Sequence, residues 1–420
     1  MALIVQKYGG TSVGSLALIR SVAAQIARVH QRGDSVAVVV SAMGDSTDRL
    51  VDLARELVAE PDARELDALL ATGEQVSVAL LAMALRAQGV AAKSYTGAQV
   101  RVQTSETHGK ARIEAIETDR LQADLRARCI PVVAGFQGVS ASGDVTTIGR
   151  GGSDTTAVAL AVALRADECQ ILTDVDGVFT TDPRMVPDAR CLPRLSYEEM
   201  LELAGQGSRV LHLRAVEFAK KYTMPVRVLS AFHPSAGTLI CEEESTVEAP
   251  VVAGIAFNRD EAEINCFGLA DKPGTAFQVL KPISDANIDV DMIVVSAARN
   301  GKSDLSFTVH RDDYVQTKRI VERLMQAFPE SSFVSNDRVA KLSVVGVGMR
   351  SHAGVATQLF ECMARESINV RLVSTSEIKI SVLVDEIHLE RAVRALHAEY
   401  QLSGQASGGN SPADSSILRW

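Results

Sequence analysis

Five short segments of this chain gather residues whose types and spacing could do chemistry. In "QKYGGTSVGS" (6–15) an apolar run ends at Lys7-Tyr8-Gly9-Gly10, and a helical pattern begins within a few residues. Glycines let a backbone approach a ligand closely, amides at a helix start favour anions, and Lys7 supplies a point charge. That outlines a phosphate site, although a plain strand-to-helix turn with a solvated lysine fits the same residues. It is not a Walker A loop, because Gly-x4-Gly-Lys-Ser/Thr is absent. A second apolar run ends in "SAMGDSTDRL", where Ser41, Gly44, Asp45, Ser46 and Thr47 gather hydroxyls and a bend. Helix capping explains part of it, and so does a ligand at a strand's carboxyl end. In "LLATGEQVSVALLAMAL" (69–85), Glu74 could meet an amine or be a half-exposed helix residue.

The densest segments come next. "DVTTIGRGGSDTTAVALAVAL" (144–164) packs Arg150, Gly151, Gly152, Ser153 and Asp154 into five positions. Ser153 or Asp154 as a helix cap accounts for one of them. An arginine can hold a carboxylate through two parallel hydrogen bonds, and glycine amides at a helix start can hold a second oxyanion. Asp154 would repel a polyanion unless it orients an ammonium, a lysine or a phosphate-bound metal. The loop therefore suits a small zwitterion with an acidic side chain presented to a phosphate. "CQILTDVDGVFTTDPR" (169–184) places Thr173, Asp174, Gly177, Phe179, Asp182 and Arg184 after a buried strand. Turns explain some of these residues, and base, ribose and phosphate of a nucleotide would explain the rest. No His-x-x-x-His or cysteine quartet offers a transition-metal site, so no protein-held metal is expected. Any metal should be Mg²⁺ held mainly by phosphates and water.

The elements that must position these residues are legible as alternation. Strands are expected at Leu3–Gln6, Val36–Ser41, Ile130–Ala134, Cys169–Thr173 and Val226–Leu229. Helices are expected at 15–32, 48–59, 63–88, 119–128 and 154–164. Continuously apolar strands argue for a sheet covered on both faces. Gly143-Asp144 suggests a hairpin whose ribbon delivers Arg150 to a helix start. "CEEESTVEAP" (241–250) reads as a linker. Beyond it the chain repeats itself: residues 262–296 superimpose on 340–376 with an offset of 80, aligning Gly274 with Gly354 and Ile288 with Ile368. Each copy reads strand, glycine turn, amphipathic helix, strand, hairpin, strand, which is a duplicated small domain and too short for a solenoid. The tail from 403 is Gly/Ser-rich and is expected to be disordered.

With 420 residues, two or more domains are expected. A net charge of −9 without basic blocks argues against a nucleic-acid partner. No uncharged run reaches the roughly 18 residues of a membrane span, and the N-terminus shows no leader pattern. Six cysteines lie far apart without a Cys-x-x-Cys pair, so reduced thiols in a cytoplasm are expected.

Taken in order, "KYGGTS", "SAMGDST", "TGE", "GFQG", "TTIGRGGSDTTA", "TDVDGVFTTDPR" and "GSRVLH" resemble aspartate kinases of the amino acid kinase superfamily, from residue 2 to about 402. The C-terminal duplication is similar to their paired ACT domains. The resemblance implies a three-layer αβα amino acid kinase domain (1–245). Two ferredoxin-like βαββαβ ACT domains (262–335 and 336–405) and a flexible tail (406–420) would follow. It implies ATP-dependent phosphorylation of the β-carboxylate of L-aspartate to 4-phospho-L-aspartate, the entry to lysine, threonine, methionine and diaminopimelate. Lys7 would stabilise the transferring phosphoryl and Asp154 would orient it.

By the same resemblance, aspartate would be held by Asp45, Ser46, Thr47, Glu74, Phe136, Arg150, Gly151, Gly152, Ser153 and Asp154. ATP would be held by Lys7, Tyr8, Gly9, Gly10, Ser41, Thr173, Asp174, Gly177, Phe179, Asp182 and Arg184. Lysine, threonine or both would bind at Asp271, Lys272, Gly274, Asp289, Val290 and Asp291 in the first copy. Ser351, His352, Asn369 and Val370 are the matching positions in the second. Homo-oligomers paired through ACT domains are implied, with or without a small regulatory subunit. Three departures stand out. Val294, Val295 and Ser296 occupy a region where many relatives carry glutamine, His352-Ala353-Gly354 replaces His-Pro-Gly, and Arg209 replaces lysine. Weakened or altered feedback inhibition is the expectation. An inactive amino-acid sensor would show decay at Lys7, Arg150 or Asp154, and none is seen. A dehydrogenase would need Gly-x-Gly-x-x-Gly after the first strand, which is missing. Another superfamily kinase is disfavoured by Glu74 together with the duplication.

Overall fold

The computed structural model describes residues 1–205, 210–243, 251–352 and 354–403, and the side chains of Arg350 and Ser351 are excepted. Arg209, Ala353, the tail from 404 and most of the expected linker lie outside the described residues.

The N-terminal part runs β1 (Leu3–Tyr8), α1 (Leu16–Gln31), β2 (Ser35–Val40), α2 (Ser46–Leu57), α3 (Ala63–Leu70) and α4 (Thr72–Ala87). It continues through β3 (Ala92–Tyr95), β4 (Val102–Thr104), β5 (Ile113–Ile116), α5 (Asp119–Arg126), β6 (Ile130–Ala134), β7 (Gln137–Val139) and β8 (Val145–Thr147). Then come α6 (Gly152–Leu164), β9 (Glu168–Thr173), β10 (Arg194–Ser196), α7 (Tyr197–Gly205), α8 (Leu213–Lys221), β11 (Val226–Ser230) and β12 (Thr238–Cys241). The five expected strands and five helical stretches are present. The expected helix 63–88 is two, α3 and α4, meeting at Ala71. Beyond Thr72 the helix is held by the packing of Val78, Leu81 and Leu85 with Ile19 and Val22 of α1.

Eight strands form one sheet in the order β10-β12-β11-β9-β1-β2-β6-β3. Val36, Val38 and Val40 face α1 and α4, whereas Ala37 and Val39 face α6 and α8. Both faces are covered, which is why β2 reads "SVAVVV" without alternation. The central strands are parallel and in step: Tyr8 pairs with Val40 and Leu172, Val40 with Ala134, and Ser230 with Thr173. Their carboxyl ends thus lie at one level, and the loops after β1, β2, β6 and β9 leave from that edge, whereas the Gly-Arg-Gly-Gly loop comes from β8 of a second, small sheet. A small sheet, β5-β4-β7-β8, carries the expected hairpin, with Gly143 at φ 90°.

The C-terminal part runs β13 (Gly254–Ala270), α9 (Thr275–Asp285), β14 (Val290–Val295), β15 (Lys302–His310), α10 (Tyr314–Met325) and β16 (Ser332–Val345). It ends with α11 (Val355–Arg365), β17 (Leu372–Thr375), β18 (Lys379–Asp385) and α12 (Leu389–Glu399). Helices α9 and α11 start eighty residues apart, behind Gly274 (φ 95°) and Gly354 (φ 109°). Each copy also has a second helix, α10 or α12, which the repeat pattern alone did not supply. The copies share one six-stranded sheet, β14-β15-β13-β16-β18-β17. The strands β13 and β16 run through both halves. Gly254–Asn258 pairs with the end of β16, whereas Ile264 pairs with Ser335 near its start. Met292 of β14 packs with Leu372 and Leu383 of β17 and β18, so the sheet curls until its edges meet.

The two parts of the chain are joined by packing. Ala253, Ala256 and Val345 enter the core that holds Leu195 and Leu203. Met185, Val186 and Ala189 enter the core of the second repeat. Lys379 pairs with Glu202 at 2.8 Å. All six cysteines are free thiols, five of them buried.

Candidate active site

Lys7 stands one residue short of the end of β1, and its ammonium lies 2.6 Å from Asp154 Oδ1. Both side chains are nearly buried, at 11% and 13% exposure, so the pair attracts strongly where water screens little. The loop after β1 interlocks with the loop after β2. A Cβ on Gly10 would lie 2.8 Å from the Ala42 carbonyl, and Gly44 N–H donates to Gly10 O at 3.0 Å. Only glycine permits that approach. Gly9 donates to Leu172 O at 3.3 Å and lies against the Lys7 ammonium.

Glu74 points into the same edge from the first turn of α4. It is 3% exposed; its Oε1 accepts from Ala42 N–H at 3.1 Å, and its Oε2 is buried without a partner. Burial pushes the carboxyl up to about 7, against the lowering effect of the Ala42 amide. A buried acid with one oxygen unused is suited to meeting an ammonium. Gly73 brings the helix in, since a Cβ there would lie 2.9 Å from the Ala42 methyl.

The Gly-Arg-Gly-Gly loop is a left-handed turn. Gly149 has φ 85° and Gly151 has φ 71°. Gly151 is the N-cap of α6, so the expected cap at Ser153 or Asp154 is replaced. Both residues sit in the first turn, where Asp154 is free to face Lys7. Ser153 packs on Gly135 at the end of β6, where a Cβ would be 2.7 Å away. Phe136, with φ 67°, is held by Thr156 Oγ1, which accepts its N–H at 3.2 Å. A non-glycine residue in that region marks a strained corner beside the helix start. Arg150 is exposed at the tip. Ser46 and Thr47 open α2 behind Asp45, and the Ser46 hydroxyl donates to Met43 O. Ser41 continues β2 by donating to Tyr8 O at 3.1 Å.

On the other side of β1 lies the loop after β9. The Thr173 hydroxyl donates to Asp174 at 3.2 Å. Gly177 fits against Cys191 and Thr238, where a Cβ would be 2.6 Å from each. Asp182 accepts from Arg184 N–H at 2.9 Å and from its guanidinium at 2.7 Å, which holds the Asp182 carboxyl below its usual range. Two residues stand apart from the cleft. The Tyr8 ring is wholly buried beneath the sheet edge, which leaves only its backbone at the cleft. Phe179 packs against the core of the second repeat.

The expected effector positions lie in the repeats. Asp271, Lys272, Gly274 and Asp289 are exposed around the start of α9 and β14, with Val290 half-buried. Asp291 is already paired with Lys341. His352 Nδ1 lies 2.8 Å from Gly348 O, Asn369 is exposed and Val370 packs on the second core. Ser351 closes a 3₁₀ turn. Two contributors escaped sequence reasoning. The Ala42 amide anchors Glu74, and His212 packs its ring on Gly151, with Nδ1 buried and unpartnered. A histidine inside "GSRVLH" was the only signal for the second, and an alanine amide leaves none.

A glycine-lined strand edge, a buried lysine–aspartate pair and a left-handed Gly-Arg-Gly-Gly turn lie together here, and the amino acid kinase family model matches residues 2–230. ACT domain models match residues 263–329 and 342–400. An aspartokinase of Pseudomonas aeruginosa is 54% identical over 411 residues, covering 97% of this chain and 100% of that protein. Escherichia coli aspartokinase III in complex with aspartate and ADP (R-state) superimposes with a TM-score of 0.78 at 25% identity, over 94% of this chain and 99% of that one. The same enzyme in complex with lysine and aspartate (T-state) gives 0.77 at 26%, over 95% and 99%. The chain belongs to the aspartate kinases.

Proposed function

We propose that the chain transfers the γ-phosphoryl group of ATP to the β-carboxylate of L-aspartate, giving 4-phospho-L-aspartate, and that lysine or threonine bound at the ACT repeats regulates it. The product would feed lysine, threonine, methionine and diaminopimelate synthesis in the cytoplasm. The observation that carries this reading is the Lys7–Asp154 pair beneath the glycine edge, 2.6 Å apart. A carboxylate is already a nucleophile at neutral pH, so no general base is required. Catalysis then consists of positioning and of neutralising charge on the phosphoryl oxygens.

Arg150 clamps a substrate carboxylate, with Ser153 and the Gly151 and Gly152 amides beside it. Glu74 takes the α-ammonium on its unpartnered Oε2, and Phe136, Asp45, Ser46 and Thr47 close the pocket. Lys7 faces the transferring phosphoryl, and Asp154 fixes its ammonium. Gly9, Gly10, the Tyr8 backbone and Ser41 line the phosphates. Thr173, Asp174, Gly177, Asp182 and Arg184 take the rest of the nucleotide, and Phe179 anchors their loop on the second repeat. Gly10 lets the loop after β1 lie against the Ala42 carbonyl, which sets the glycine edge where the phosphates would sit. Mg²⁺ would screen the phosphate charge, and among the described residues no cluster of three carboxylate, His or Cys ligands gathers to hold it. Phosphate oxygens and water would then be its ligands.

A hydroxamate assay with aspartate and glutamate as competing acceptors tests the reaction, and the expected result is turnover of aspartate alone. Arg150→Ala should raise KM for aspartate about tenfold or more, the worth of a charged bidentate bond, while KM for ATP changes little. Asp154→Ala should chiefly lower kcat. The opposite assignment of effects would reverse the two roles.

A further inference from the structure

The segment between the nucleotide-loop residues Phe179 and Asp182 is fastened to the second repeat. Thr180 is wholly buried and every polar atom it owns is engaged. Its N–H donates to Arg190 O at 3.0 Å, and its carbonyl accepts from Ile255 N–H, at the start of β13, at 2.7 Å. Its hydroxyl accepts from Arg190 N–H at 3.2 Å and lies 2.9 Å from Nε2 of His397, on α12. His397 is 1% exposed.

The Thr180 hydroxyl keeps its own proton after accepting the Arg190 amide, and we assign that proton to Nε2 of a neutral Nδ1–H imidazole, since the tautomer sets the direction of this bond. Burial pushes His397 toward the neutral form, in agreement. One turn earlier on α12, Arg394 Nε donates to Met185 O at 3.1 Å, and Met185, Val186 and Ala189 share the core of Leu359 and Leu396. One helix of the second repeat thus grips both sides of Asp182 and Arg184.

We infer that His397 is a positioning residue for nucleotide binding, acting through Thr180, and that α12 is the element by which the second repeat sets the loop that holds ATP. The inference rests on the placement of ATP at residues 173–184 proposed above. Any shift of α12 relative to β13 must either break the Thr180–His397 bond or carry the loop with it, because Thr180 is tied to both.

The test compares three variants of the full chain. His397→Leu removes the acceptor, His397→Gln restores one near the Nε2 position, and Thr180→Val removes the donor from the loop side. Nucleotide affinity is read by calorimetry with ADP and Mg²⁺, beside KM for ATP and for aspartate. His397→Leu and Thr180→Val should weaken ADP binding and raise KM for ATP about three- to tenfold, the loss of one buried hydrogen bond. KM for aspartate should stay within about twofold, and His397→Gln should recover most of the loss. Unchanged ADP affinity in either folded variant, equal rises in both KM values, or a glutamine variant no better than leucine would overturn the inference. Should wild-type enzyme bind ADP yet fail to phosphorylate aspartate, the functional reading fails, while the ADP affinities still judge this one.

Discussion

At the residue scale the most informative group is Glu74. Its carboxyl is raised to about 7 by burial, so it titrates near neutral pH. The native state holds its proton more tightly than the unfolded chain does. The resulting stabilisation is fully present below the unfolded value of 4.5 and is lost as pH rises through about 7. Glu74→Gln, which cannot ionise, should therefore raise Tm relative to wild type at about pH 8 and lose that advantage at about pH 5. Binding has the opposite sign, because an ammonium needs the ionised form. For the wild type, kcat/KM for aspartate should fall below about pH 7, approaching tenfold per unit, and Glu74→Gln should flatten that limb while raising KM. Calorimetry and a pH–rate profile check the two halves separately. Lys7, Arg150 and Asp154 stand out in the sequence because each is a charged residue set beside glycines, whereas Glu74 reads there equally as a half-exposed helix residue and its burial is visible only in the fold. The Ala42 amide and His212 do not stand out, since their roles exist only through contacts 32 and 61 residues away along the chain, to Glu74 and Gly151.

At the scale of elements, the strands and helices around the site follow from period and punctuation, and the repeat offset located α9 and α11. The shared strands were beyond reach. A 17-residue strand such as β13 shows the same apolar pattern whether it serves one copy or two, and its partner is fixed by non-local register. The charges inside the curled sheet show how the two copies are kept in register. Lys341 and Glu261 hold equivalent positions in the repeat, carry opposite charge and meet at 3.2 Å, each about 3% exposed. Asp291 and Arg371 are likewise equivalent and opposite; Asp291 pairs with Lys341, and Arg371 pairs with Glu263 at 2.6 Å. Like copies brought together on this surface would oppose acid to acid. Removing one partner strands a buried charge, so Lys341→Ala should destabilise the repeats by about 3 kcal/mol or more. The double change Lys341→Met with Glu261→Leu should recover most of that loss. Urea unfolding followed by tryptophan-independent circular dichroism measures both, and equal losses in single and double variants would deny the pair its role.

At the scale of the whole molecule, the kinase part and the ACT repeats meet along one seam, where the loop after β9 and helix α7 lie against the second repeat. Val347 N–H donates to Glu199 at 3.1 Å, so the chain leaving β16 is fixed to the helix that follows β10. A ligand that reshapes the repeats can act on the cleft only through such contacts. At the expected effector face of the first copy, Asp291 is already neutralised by Lys341, and Val294 and Val295 offer no polar head group. An amino acid binding there must compete with an internal ion pair and finds fewer hydrogen bonds in return, which lowers its differential affinity for one state over the other. Such a ligand shifts the conformational equilibrium only by that difference. Inhibition by lysine or threonine should accordingly be weak when each is added alone and incomplete when both are present. Initial-rate assays with each amino acid singly and with the two together measure this, alongside light scattering to follow any change of assembly. Complete inhibition by the pair would mean that the missing amide and the occupied Asp291 do not govern effector binding.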